Sequence, residues 1–134
     1  MYVAGMREVG VVIVQGCPEH WHDPPGSSSV SIPDDRGLWE VIWDLRDRID
    51  GVAHTHPGTG FPSPSLEDLT TFMAVEAGLG RRLLWWIVSS GHASLCTWSP
   101  ATSEERGELG YDVHFLHSDE EPWWAEELRE RSFK

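Results

Sequence analysis

The stretch Gly51-Val-Ala-His54-Thr-His56-Pro-Gly-Thr-Gly60-Phe-Pro-Ser-Pro-Ser65-Leu-Glu-Asp68 passes from a strand into a loop of Pro, Gly, Ser and Thr, and then into a helix that starts near Ser65. On a strand, residues two apart project to the same side about 6 to 7 Å from one another, so His54 and His56 can converge on one small cation. Two imidazoles are a zinc-like donor pair. A carboxylate returned by the loop would make a third ligand and leave the fourth tetrahedral position open to water. Asp68 is placed for this. With Ser65 as the helix cap it falls in the first turn, held by the helix, while the intervening Gly and Pro let the chain double back. Each half also has a plainer reading, since a His-x-His pair alone is often a surface coincidence and Ser-x-x-Asp before an apolar helix is a capping box. The two halves in this order, with Pro57 and Gly58 after the histidines, make the metal reading specific.

Outward from this stretch, Val9-Gly-Val-Val-Ile-Val14 is short, β-branched and ends at Gly16, the pattern of a buried strand. Val30-Ser-Ile32 suggests another strand, ended by Pro33. The apolar positions Leu38, Val41, Ile42, Leu45 and Ile49 recur at helical spacing behind Asp34 and Asp35 as caps, so an amphipathic helix is expected over 38–49. The helix from Ser65 should stop at Gly78-Leu-Gly80. Leu83–Val88 and Ala93–Trp98, joined through Ser-Ser-Gly-His, read as a hairpin. After a polar loop, Tyr111–Leu116 alternates as a strand, and Glu121–Arg131 forms a last helix with Pro122 in its first turn. The expected architecture is an α/β or α+β sandwich, a mixed sheet flanked by helices in a single domain over 1–134.

The 134 residues carry 22 acidic and 10 basic side chains, a formal charge of −12, with 40% hydrophobic and 24% charged residues. That is the size and balance of one core, and the charge makes an electrostatic grip on phosphate backbones, and so a nucleic-acid partner, unfavourable. No apolar run approaches the roughly 20 residues that span a bilayer, and no basic region with a long apolar segment opens the sequence. A cytoplasmic protein without a membrane partner is expected. Cys17 and Cys96 form no metal-binding spacing and read as reduced thiols.

His54-Thr-His56-Pro57 followed by Ser65-Leu-Glu-Asp68 resembles the JAMM (MPN+) metalloprotease family, whose signature is a distant Glu, then His-Ser/Thr-His-Pro, then Ser-x-x-Asp. The stretch from His56 to Ser65 is one residue longer than the commonest spacing, which a loop with Gly60, Pro62 and Pro64 absorbs; Glu67, at the usual Asp spacing, stays as a rival ligand. The resemblance implies an MPN/JAB sandwich, related to the cytidine-deaminase-like fold, with Zn²⁺ bound by His54, His56 and Asp68. It also implies that Ser65 helps stabilise the tetrahedral intermediate.

Attack on an amide needs a group that takes a proton from water and passes it to the leaving amine. The resemblance implies a glutamate just before a buried strand, upstream of the histidines. Glu8, followed by Val9–Val14 and Gly16, fits best. Glu40 is the main competitor, yet at about 100° per residue it lies opposite the Leu38/Ile42/Leu45/Ile49 stripe, on the solvated face with Asp44 and Asp47. Glu19 falls in an expected loop and stays open as a further alternative.

His20-Trp-His22-Asp23 is a second His-x-His, without a following helix-anchored carboxylate, and reads as an exposed loop. His92, His114 and His117 have no ligand set. Ser89, Ser90 and Cys96 lack a His/Asp arrangement, which disfavours nucleophilic catalysis. Trp85, Trp86 and Trp98 suit core or cross-strand positions, and Trp123 with Trp124 reads as either core or an exposed partner patch. The expected function is a zinc metallopeptidase or isopeptidase acting at the C-terminus of a ubiquitin-like or sulfur-carrier protein. The alternative is a catalytically inactive MPN-like scaffold subunit, and a DNA-repair relative with a similar His-x-His-Pro motif conflicts with the charge. The oligomeric state is left open.

Overall fold

The computed structural model describes residues 5–23, 36–106 and 110–133. It is a mixed α+β structure built on one six-stranded sheet. In chain order the elements are β1 (Gly10–Val14), β2 (Cys17–His22), α1 (Arg36–Asp44), β3 (Ile49–Thr55), α2 (Leu66–Leu79), β4 (Leu84–Val88), β5 (Ala93–Trp98), α3 (Pro100–Arg106), β6 (Tyr111–Leu116), a 3₁₀ turn (Ser118–Glu120) and α4 (Ala125–Ser132). The strand order is β2-β1-β3-β4-β5-β6. β3 and β4 are parallel, joined by the crossover helix α2, and every other neighbouring pair is antiparallel.

The strands bury both faces, which is why the central ones read as continuous apolar runs. Val12 and Val14 of β1, Val52 of β3, and Trp85 and Ile87 of β4 pack under Leu38 and Ile42 of α1 and Phe72 of α2. The alternate positions Val11, Ile13, Ala53, Trp86 and Val88 pack against Trp124, Ala125 and Leu128 at α4. The result is three layers, with α1 and α2 on one face and α4 on the other. Gly51 sits where β3 and β4 come closest: a Cβ there would lie 1.8 Å from the Leu84 carbonyl oxygen.

Several expectations need correction. His20-Trp-His22 is not a loop; it belongs to β2, paired with β1 through a two-residue turn in which Gln15 and Gly16 both take positive φ, 52° and 80°. Pro18 is accommodated because β2 is an edge strand and its register with β1 shifts between Val12 and Ile13. The helix expected over 38–49 ends at Asp44. Leu45 and Ile49 are still buried, but Leu45 lies in a turn and Ile49 opens β3, so the apolar spacing is satisfied by two geometries in succession. The polar loop after Trp98 contains α3, with Pro100 at its first position, where a missing N–H costs nothing.

The second helix is as expected, capped by Ser65 and stopped at Gly80. The last helix starts later than expected, at Ala125, with Pro122 in the turn before it. Trp123 and Trp124 divide: Trp124 is core, and Trp123 is 67% exposed. Val30–Ile32 and the caps Asp34 and Asp35 lie outside the described residues. Among the described residues no helix is long and apolar enough to cross a membrane.

Candidate metal centre

β3 ends at Thr55, so His54 and His56 leave the sheet on the face covered by α2, with the His54 ring edge-on to Phe72. The loop that follows is fastened at four of its carbonyls. Ser90 donates from its backbone N–H and its hydroxyl to Gly58 O at 3.0 and 2.8 Å, and His92 donates from Nδ1 to Thr59 O at 2.8 Å. Ser89 Oγ donates to Gly60 O at 2.7 Å and Ser94 Oγ to Pro62 O at 2.6 Å. Ser89 and Ser90, considered as nucleophiles from the sequence, thus hold the loop that carries the chain from His56 to α2.

At the start of α2 the capping box is complete. Ser65 Oγ accepts from Asp68 N at 3.0 Å, and Asp68 Oδ2 accepts from Ser65 N at 2.9 Å. The same carboxylate faces both imidazoles, with Oδ1 3.4 Å from His54 Nε2 and Oδ2 3.1 Å from His56 Nε2. The two Nε2 atoms are 3.0 Å apart. The capping reading of Ser-x-x-Asp is therefore met, and the same cap holds the carboxylate facing both imidazoles, where it could serve as a ligand. In a tetrahedron with bonds of about 2.0 to 2.1 Å, ligand atoms stand about 3.3 Å apart, and the separations here, with Asp68 meeting the two imidazoles through its two oxygens, are of that size. His54, His56 and Asp68 are the group that could hold a metal ion among the described residues. Glu67 is exposed and outside it.

Burial of Asp68 favours its neutral form, but hydrogen bonds from His54 and His56, their charge and the Ser65 N–H outweigh it and hold the carboxyl far below the usual range. Ser65 uses only an acceptor lone pair of Oγ in the cap, and the residue is exposed, so its O–H remains for donation.

Glu8 lies one residue before Val9, whose carbonyl accepts from Thr55 N at 3.0 Å. Gly10 pairs with His54, and the same antiparallel register sets Glu8 opposite His56. Burial raises the Glu8 carboxyl above its ordinary value, the charges of His54 and His56 pull it down, and those of Asp68 and Glu67 push it up again. A glutamate 46 residues upstream of His54 therefore shares one electrostatic neighbourhood with the trio. Glu40 is elsewhere, 65% exposed at its side chain and bonded to Arg36 at 3.3 Å on the solvent face of α1. Glu19 is on the edge strand β2.

Other polar clusters serve the fold. Glu76, almost fully buried in α2, accepts from Leu83 N and Trp85 Nε1 at 2.9 Å, from Arg82 at 3.0 Å and from the Tyr111 hydroxyl, tying α2 to β4 and β6. Composition alone gave no sign of it. Cys17 and Cys96 are free, and burial, with the nearby Asp68 charge, pushes the Cys96 thiol up to about 12, so it is inert. No family model and no curated protein matches this chain.

Proposed function

We propose that the chain is a zinc-dependent peptidase or isopeptidase of the JAMM type, with the MPN/JAB form of the α+β sandwich, acting in the cytoplasm on an amide or isopeptide bond at the C-terminus of a ubiquitin-like or sulfur-carrier protein. The observation that carries the reading is that His54, His56 and Asp68 converge as a group able to hold an ion while Glu8, 46 residues before His54, stands across β1 and β3 within their electrostatic reach. His54, His56 and Asp68 would hold the ion. Zinc, when bound there, polarises a carbonyl and makes water a nucleophile near neutral pH. Glu8, whose carboxyl burial holds above its ordinary value, accepts the proton of the attacking water and returns it to the leaving amine. The Ser65 hydroxyl donates to the oxygen on which negative charge develops.

An extended tail reaching the site would run near β3, the third strand in from the β2 edge. The test is incubation of the zinc-loaded chain with ubiquitin-like and sulfur-carrier proteins bearing C-terminal extensions, read by mass spectrometry. Cleavage after the carrier's last residue is expected, with at least about a hundredfold loss in Glu8→Gln at unchanged zinc content. Full activity of that variant would remove Glu8 from the mechanism. Absence of cleavage with every carrier, by a chain that holds zinc, would overturn the substrate class.

A further inference from the structure

The residue between the two histidines does something neither of them does. Thr55 is completely buried, and its side chain leaves β3 on the α4 face, opposite to the metal trio. Its hydroxyl donates to Arg7 O at 2.8 Å and accepts from Val9 N at 2.9 Å. A regular antiparallel pair would have Val9 N donating to the Thr55 carbonyl; here the hydroxyl takes that place and grips the backbone on both sides of Glu8. Ser132, at the end of α4 and also fully buried, donates its hydroxyl to the second lone pair of Arg7 O, while Arg7 N donates to Ser132 O at 2.9 Å. The peptide units flanking Glu8 are thus bonded from below by two side chains that touch neither ligand nor solvent.

We propose that Thr55, seconded by Ser132, is a positioning residue for Glu8. The strand that supplies His54 and His56 also fixes, through the hydroxyl between them, where the carboxyl from β1 stands. This rests on the reading of Glu8 as the proton carrier of a metal site. A threonine suits the position because it combines a β-branched body for a buried strand with one donor and one acceptor. Valine keeps the shape and loses both bonds; serine keeps both bonds.

The experiment uses the full chain loaded with Co²⁺, whose visible absorption reports the metal surroundings, together with hydrogen exchange of the Val9 amide. Glu8→Gln should shift the pH dependence of the spectrum. Thr55→Val should shift it the same way, with Val9 exchange faster by about tenfold, the worth of one hydrogen bond. Thr55→Ser should restore both to the parent values. Ser132→Ala, remote from the ligands and mild enough to fold should Thr55→Val not, should shift the spectrum by less in the same direction. Cobalt affinity should stay at the parent value throughout. If Val9 exchange rises in Thr55→Val while the spectrum keeps the parent pH dependence, the grip does not position Glu8 and the proposal falls. A loss of affinity as large as that of His56→Ala would assign Thr55 to the ligands and also overturn it. An unshifted spectrum in Glu8→Gln, or no cobalt uptake by the parent chain, would strike the underlying reading of the site first and the proposal with it.

Discussion

At the scale of single residues, the site sets ionisation against burial and resolves it differently at its two carboxyls. Asp68 is more buried than Glu8 but has two imidazoles and a backbone N–H to stabilise its anion, so its carboxyl is held down; at Glu8 desolvation prevails and its carboxyl is held up. The Glu8 shift has a stability consequence whose sign is fixed. Between the ordinary glutamate pKa of about 4.3 and the raised value, the folded chain binds more protons than the unfolded one, so stability falls as pH rises through that window. Glu8→Gln removes the penalty. The metal-free variant should melt above the metal-free parent at pH 7 and together with it at pH 4, by calorimetry in the presence of a chelator. A variant that melts below the parent at pH 7 would show that the carboxylate stabilises the fold. The three candidate ligands were legible in the sequence because they fall within fifteen residues, where strand alternation and helix capping are local rules. Glu8 was legible only through the resemblance, since its place depends on the pairing of β1 with β3. The Thr55 to Ser132 connection, with partners 48 and 125 residues from Arg7 and Arg7 itself unremarkable, had no local signal at all.

At the scale of elements, the strands with both faces buried and the capped helix α2 announced themselves by continuous apolar runs and by cap residues. β2 did not, because an edge strand carries polar side chains and Pro18, and Gln15-Gly16 lacks the Asn-Gly signature of its turn type. α3 was hidden by its length and polarity, although Ser99-Pro100 is a helix-start pattern. The parallel pairing of β3 with β4 is what presents His54 and His56 beneath α2, and Gly51 permits it. Gly51→Ala would force a methyl group against the Leu84 carbonyl, a backbone atom that cannot step aside. Such overpacking should cost roughly 3 kcal/mol or more by urea denaturation. It should also weaken metal binding, because the strand that carries both histidines is displaced. An unchanged midpoint would mean that the two strands are not held at this separation in solution.

At the scale of the whole molecule, the layers and the two apolar clusters formed by the described residues leave the candidate metal trio at the edge of one cluster, where β3 runs out and α2 begins. The fold class follows from alternating apolar runs and helical stretches, while strand order does not, because pairings such as β1 with β3 and β5 with β6 are decided by contacts remote in sequence. The trio joins a strand end, a fastened loop and a helix start, so an ion bound there should lock these together. At a free zinc concentration a hundred times the dissociation constant, the gain is about 2.7 kcal/mol. The most direct measurement is the zinc content of the purified chain and of Asp68→Ala, by elemental analysis after exhaustive desalting, with the melting temperature of each recorded beside it. One zinc per parent chain, lost in the variant together with the zinc-dependent rise in melting temperature, is the expected result. A folded parent chain that neither retains zinc nor takes it up when the metal is supplied would contradict the account at its centre.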